Sequence, residues 1–270
     1  MKRLFKNPNN KNFFIDKFET FLYTIDRKRK RYMKHYFGLS SNFSLKLFGP
    51  IHLLLIVITI LNIMCVYIYK DKLKKVKYLK NIIPIILFSN MVIYILGAIL
   101  TGQFDIRLHL PIHYCYITGF LFMYMLIKNK KKWFNMLYYA IFFCTITVIL
   151  FQDPNITYDR YEFILLVVSH HFLLISSFYT LYVLDYNVDK KGYKPFIIYT
   201  IVVYLVVFII NKCLGTDYIF NSSLPDFIYE YFPFVSKLPP LIWLTMLGIP
   251  LLMIAYIPIK YKNKRRKVCL

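Results

Sequence analysis

Seven stretches of this chain are long and apolar enough to cross a lipid bilayer, and little else about the fold is then free. They run at 48–69, 82–101, 110–127, 133–151, 163–184, 195–213 and 239–259. A hydrocarbon core about 30 Å thick is spanned by roughly 20 helical residues. Backbone groups inside it have no water to bond, so each segment must satisfy its own N–H and C=O groups as a helix. With 58% hydrophobic residues and only 8 glycines, the composition lies well above the apolar share of soluble proteins. The expected fold is all-α: a polytopic integral membrane protein whose 48–259 region is a seven-transmembrane-helix bundle. A basic N-terminal tail, 1–47, partly interfacial or disordered, precedes it, and a basic tail, 260–270, follows. The longest apolar stretch in the first tail is "FLYTI" at 21–25, too short for a signal peptide. The first long segment is therefore expected to stay as an uncleaved anchor.

Loop charge sets the orientation, because Lys and Arg are retained on the cytoplasmic side. Connections 70–80, 128–132 and 185–194 with the tail 260–270 carry 19 Lys or Arg, whereas 102–109, 152–162 and 214–238 carry 3. Asp105, Asp153, Asp159, Glu162, Asp217, Asp226 and Glu230 all fall in the second set. This predicts an outside N-terminus and a cytoplasmic C-terminus, in the plasma membrane. The N-terminal tail opposes it with 12 Lys or Arg, including "RKRKR" at 27–31, but only its part nearest the first span competes. The net charge of +22 is carried by loops and tails at the membrane edge, where it favours anionic lipid headgroups; nucleic acid is not an expected partner.

Polar residues gather in one layer of this topology. His52 lies near the outer end of the first span, His113 and Cys115 about a turn into the third, and His170 and His171 about two turns into the fifth. Gln152 closes the fourth span and Asn211 the sixth. The inner halves are mainly Leu, Ile, Phe and Tyr, with Asn62, Cys65, Ser89 and Asn90 as exceptions. Ionisable groups at membrane depth need partners or a wet cavity. Interhelical hydrogen bonding would explain one such residue; four histidines and a cysteine at one depth point to an extracytoplasmic site. His109 and His113, four apart, are expected on one helix face, with Cys115 about 200° round from His113. His170 and His171 are about 100° apart, so one of them is expected to meet Cys115.

A buried thiol is inert unless an adjacent base removes its proton. A histidine at the depth of Cys115 supplies that base, and the thiolate could attack an ester and carry an acyl chain as a thioester. Cys65 and Cys144 read as small hydrophobes, the usual role of buried cysteine. The five cysteines, which include Cys213 and Cys269, show no C-x-x-C spacing and no prenylation box. His109, His113, His170 and His171 could be imidazole ligands, but no carboxylate-bearing ligand spacing accompanies them, and neither a metal nor another cofactor is expected. A retinal protein would need a lysine in "LPPLIWLTMLGIPLLMIAYIP", which has none. An inverted-repeat transporter would need paired broken helices, and the halves show no such symmetry.

Four stretches, "FSLKLFGPIHLLLIV", "LPIHYCYITGF", "VVSHHFLLISSFYTLYV" and "INKCLGTDYIF", together resemble the YwaF-type bacterial integral membrane family, related to the eukaryotic transmembrane protein 164 group. The resemblance covers most of 43–259 and implies seven helices with the N-terminus outside. It further implies acyl transfer between glycerophospholipids through a cysteine and a histidine, matching Cys115 as nucleophile and His170 as base. His113 and Asn211 are then candidates to orient substrate or stabilise an oxyanion, with His171, His52 and Gln152 also in the cavity. The sequence departs from the family pattern at Asp217, where Asn is usual, and in its basic extension 1–35. The competing function is a non-catalytic protein that binds a lipid or small molecule in the same cavity. Membrane phospholipids are the expected partners either way.

Overall fold

The computed structural model describes residues 46–100, 102, 104–107, 109–152, 161–220, 224, 226–237 and 239–268. Most of the basic N-terminal tail, Asp153, Asp159 and the last two residues lie outside the described residues. Seven longer helices account for the apolar stretches: α1 Pro50–Ile68, α2 Leu79–Leu100, α3 Tyr114–Ile127, α4 Phe134–Leu150, α5, α6 Tyr193–Leu214 and α7 Pro240–Val268. Helix α5 is continuous through Tyr161–Leu166, a π-helical turn Val167–Phe172 and Leu173–Tyr182. Short helices Lys70–Leu73 and Asp226–Tyr231 lie in the connections, and no strand occurs among the described residues.

Among the described residues, five segments are long and apolar enough to cross a membrane: Pro50–Ile68, Leu79–Leu100, Lys131–Leu150, Phe163–Tyr182 and Lys190–Leu214. The third expected span is cut short. Instead of beginning at 110, the helix starts at Tyr114 and has 14 residues, about 21 Å of rise. Pro111 keeps Leu110 out of the helix, since it drives the residue before it out of helical conformation. His109 and His113 consequently do not share a helix face; His113 is the extended residue immediately before α3, with φ −60° and ψ 145°.

Helix α4 is the core of the bundle. It packs against α3, α5, α6 and α7, and Phe134, Leu137, Tyr138, Tyr139, Ala140 and Ile141 have no exposed surface. Helix α3 touches neighbours on both flanks, α2 and α4. Because lipid is as apolar as leucine, packing and interhelical hydrogen bonds hold such helices together. The Tyr138 hydroxyl donates to the Ala255 carbonyl at 3.1 Å, and Tyr114 meets Thr200 at 2.8 Å and Thr118 meets Tyr199 at 2.9 Å between α3 and α6. The outer faces of α1 and α6 leave Leu54, Ile58, Leu61, Ile198, Val202, Leu205 and Ile209 exposed. Contiguous apolar surface of this extent marks contact with lipid.

At the lysine-rich end, a carboxamide–carboxylate clamp fixes the turn into α6. Asn135 Nδ2 donates to Asp189 Oδ1 at 2.7 Å, and the Asp189 backbone N–H donates to Asn135 Oδ1 at 3.0 Å. Gly192 packs so closely that a Cβ there would collide with the Asn135 carbonyl and side chain. Lys262 of α7 pairs with Asp185 at 2.8 Å and donates to the Leu181 and Tyr186 carbonyls.

Candidate active site

The π-helical turn is what assembles the site. One residue is accommodated beyond α-helical register between Val167 and Phe172, a feature frequent at functional sites because it widens the helix and re-aims its side chains. This turn packs against α2, α3 and α4 together. Its two histidines face different helices: His170 meets Cys115 on α3, whereas His171 meets Thr59 on α1.

The proton on His170 can be assigned from its surroundings. Its Nδ1 lies 3.1 Å from the Leu166 carbonyl and 2.9 Å from the Ser169 hydroxyl. A carbonyl oxygen only accepts, so Nδ1 carries the hydrogen and Nε2 keeps its lone pair. The imidazole and the Cys115 thiol lie near enough to influence each other electrostatically. Cys115 is also the second residue of α3. Amides in the first turn have no carbonyl one turn back to bond, and the helix dipole puts partial positive charge there.

Cys144 of α4 is the neighbour that sequence reasoning passed over. Its thiol donates to the Ile141 carbonyl at 3.5 Å and lies near enough to Cys115 to influence it electrostatically. Residues on different helices carry no sequence signal of this adjacency.

The other expected site residues divide in two. His113 stands close enough to His170 to feel its charge and meets Tyr218 edge-on with ring centroids 5.0 Å apart. His171 is 3% exposed; its Nδ1 is 2.6 Å from the Thr59 hydroxyl, which itself donates to the Leu55 carbonyl at 2.8 Å. Nδ1 therefore carries the proton, and Nε2 is buried with no hydrogen-bond partner among the described residues. Gln152 is 1% exposed, and neither atom of its amide finds a partner among the described residues. Buried polar atoms of this kind mark a place that a polar group can occupy.

His52 and Asn211 are committed elsewhere. His52 accepts the Phe48 N–H on Nδ1 at 2.9 Å and donates from Nε2 to the Ile149 carbonyl at 2.7 Å, tying α1 to the end of α4. Asn211 Oδ1 accepts from the Thr216 hydroxyl and the Tyr218 N–H at 2.7 and 2.9 Å, while Nδ2 donates to the Tyr218 carbonyl at 2.8 Å. The turn it closes contains Gly215 at φ +65°, a left-handed conformation that glycine adopts without strain. That turn delivers Tyr218, whose hydroxyl donates to the Ile106 carbonyl at 2.8 Å and accepts the Leu110 N–H at 3.0 Å. Burial pushes the Tyr218 phenol up from its ordinary pKa, so it remains a donor. The non-helical run 109–113 is thereby pinned beside Cys115. Irregular backbone at membrane depth persists only against protein or a wet cavity. Among the described residues, no three His, Cys, Asp or Glu side chains converge as a metal set would.

No curated protein and no solved structure gives a significant match to this sequence. The TMEM164 family does match it, over residues 47–257, a stretch that contains all seven helices but the end of α7 and every residue of the Cys115–His170 site. With most of its length matched and its apolar helices in place, this chain is a multi-pass membrane protein that belongs to the TMEM164 family.

Proposed function

We propose that this protein is a membrane-embedded acyltransferase that moves fatty-acyl chains between glycerophospholipids through a thioester on Cys115. The observation that carries it is the contact of Cys115 with a histidine whose Nδ1–H is held by the Leu166 carbonyl, which leaves Nε2 to act as base. In the first half-reaction His170 Nε2 takes the thiol proton and sulfur attacks the ester carbonyl of a donor phospholipid. The oxyanion forms beside the Cys115 N–H in the first turn of α3, a position suited to stabilising it. His170 returns the proton to the leaving lysolipid oxygen, and the acyl chain stays on sulfur. In the second half-reaction His170 deprotonates an acceptor lysolipid hydroxyl, which attacks the thioester, and the proton goes back to Cys115.

His113 lines the approach from the 109–113 run, and His171 Nε2 and the Gln152 amide are free to take the polar part of a lipid. Those buried unpartnered atoms also support a second function, non-covalent lipid binding without turnover. The chain, on this proposal, crosses the plasma membrane seven times with its N-terminus outside, and the site opens to the outer leaflet. The basic loops then contact anionic headgroups on the cytoplasmic side. A transferase in proteoliposomes should exchange a labelled acyl chain between phospholipid and lysophospholipid; Cys115→Ser should abolish exchange and His170→Ala should slow it by about 10²- to 10⁴-fold, the range of general-base assistance. Exchange that is nil in the wild type, with a lipid retained on purification, would identify a binding protein instead.

A further inference from the structure

We propose that this protein pairs with a second copy of itself along α1, the two helices parallel and their Asn62 carboxamides hydrogen-bonded to each other across a two-fold axis normal to the membrane. The starting point is a polar side chain poorly placed for a monomer. Asn62 stands within the apolar helix Pro50–Ile68, roughly 18 Å from its first residue and 9 Å from its last at about 1.5 Å of rise per residue. It is exposed, and in a single copy it would face hydrocarbon. Lysine and arginine carry their heads to the interface on long stems; the short asparagine side chain cannot bridge that distance. Among the described residues its hydrogen bond is internal, Nδ2 donating to the Ile58 carbonyl one turn back at 2.8 Å. Oδ1 and the other N–H are left toward the lipid, where an unsatisfied polar group is costly.

The residues around Asn62 form a seam for a partner helix. The face of α1 that meets the rest of the bundle carries His52, Ile56, Thr59 and Ile63. About 110° round the helix from it, Ile51, Leu55, Ile58, Asn62, Cys65 and Tyr69 recur at alternating spacings of four and three, the period that keeps one edge of a helix against another. From Ile58 onward these positions are exposed. The opposite flank, with Val57, Ile60 and Met64, is apolar throughout and meets lipid. A single asparagine on such a seam fixes register by pairing with its like. A carboxamide is donor and acceptor at once, so its complement is an identical group. All copies of one chain cross the membrane in the same sense, so two α1 helices meet parallel. A two-fold axis then sets each residue opposite itself at equal depth. An unrelated helix would have to present a polar group at that level, whereas a second copy always does. The pairing leaves Cys115 and His170 untouched and does not depend on acyl transfer.

Cys65 reports the geometry, because it is exposed and lies one turn from Asn62 on the same seam. The full chain carrying Cys213→Ala and Cys269→Ala is reconstituted alone in phosphatidylcholine vesicles, oxidised with copper phenanthroline and run on a gel without reductant. The expected product is a covalent dimer that dithiothreitol releases and that Cys65→Ala does not form. Met64→Cys combined with Cys65→Ala moves the thiol to the lipid-facing flank and should give little dimer. Asn62→Leu should cut the Cys65 dimer about tenfold at high lipid dilution, the equivalent of about 1.4 kcal/mol and within the range of interhelical bonds in model membrane peptides. Asn62→Gln keeps the carboxamide and should restore most of it. Equal cross-linking from Cys65 and from Met64→Cys, a dimer that forms as well in Asn62→Leu, or a chain that stays monomeric at every dilution overturns the pairing. The comparison of Cys65 with Met64→Cys decides the face even if Asn62→Leu does not fold.

Discussion

Thr59→Val isolates the bond that holds the π-helical turn to α1. Valine has nearly the shape of threonine, so the change removes the hydroxyl and little else. Two hydrogen bonds go: the 2.6 Å contact to His171 Nδ1 and the donation to the Leu55 carbonyl at 2.8 Å. The Leu55 carbonyl is a helix-backbone acceptor, so losing a second donor costs little. His171 is different, because it is 3% exposed and its Nε2 is already unpartnered, and the substitution strands the Nδ1–H as well. Interhelical hydrogen bonds in membranes average about 0.6 kcal/mol and reach about 1.7 kcal/mol. A short bond to a fully buried imidazole belongs near the top, about 1.5 kcal/mol. At roughly 2–4 °C per kcal/mol for a chain of this size, Tm should fall by about 3–6 °C. Thr59→Ser keeps the oxygen and should stay within a degree or two of the wild type. His171→Leu should make Thr59→Val nearly neutral, since the stranded donor is then gone and the two changes share one bond. Thermal unfolding in detergent, followed by a tryptophan or thiol-reactive dye signal, reads the wild type, the three single variants and the double variant. Equal Tm values for Thr59→Val and Thr59→Ser would refute the bond and with it the protonation assigned to His171.

Three further outcomes follow from other contacts. Tyr218→Phe removes the hydroxyl that pins 106–110 but leaves Cys115 and His170 untouched. Acyl exchange should drop by about tenfold, about 1.4 kcal/mol from the two hydrogen bonds lost, and an unchanged rate would mean the 109–113 run positions nothing. Gly192→Ala drives a Cβ into Asn135, an overpacking that costs about 1–3 kcal/mol; Tm should fall while exchange per folded molecule holds, because the clamp lies at the opposite end from Cys115. For topology, a cysteine at Asp159 should react with an impermeant thiol reagent on intact cells and one at Lys132 should not, in a background lacking Cys65 and Cys213. The reverse pattern would move the site to the cytoplasmic side.

Apolar length was enough to locate every helix to within a few residues, except where a local rule broke the pattern or where side chains do not reveal an end. The first case is α3, where 110–113 is apolar enough to extend the helix, Pro111 disfavours a helical Leu110, and the helix starts at Tyr114. The last is α7, which continues as a helix to Val268 through a basic stretch that hydropathy ends at 259. Within the candidate site, Cys115, His170, His113 and His171 stand out in the sequence because histidine and cysteine are rare at membrane depth and fall in one layer. What that layer could not reveal is which groups are already satisfied. His52 and Asn211 looked like the others, and only their backbone partners mark them as ties between segments. The π-helical turn has no sequence signature, since the inserted residue alters register rather than composition, and so the separation of His170 toward α3 and His171 toward α1 had to come from the structure. Cys144 was concealed by the same limit, since Cys115 lies 29 positions away in sequence.

The central claim is a covalent one, and an acyl chain on a single sulfur is its most direct trace. Purified protein mixed with a donor phospholipid, quenched in acid and digested, should yield the peptide containing Cys115 with a fatty-acyl mass addition that neutral hydroxylamine removes. His170→Ala should greatly reduce it, and a lysolipid acceptor should discharge it in the wild type. Acyl exchange that proceeds with no adduct on Cys115, or that survives Cys115→Ser, would contradict the thioester mechanism.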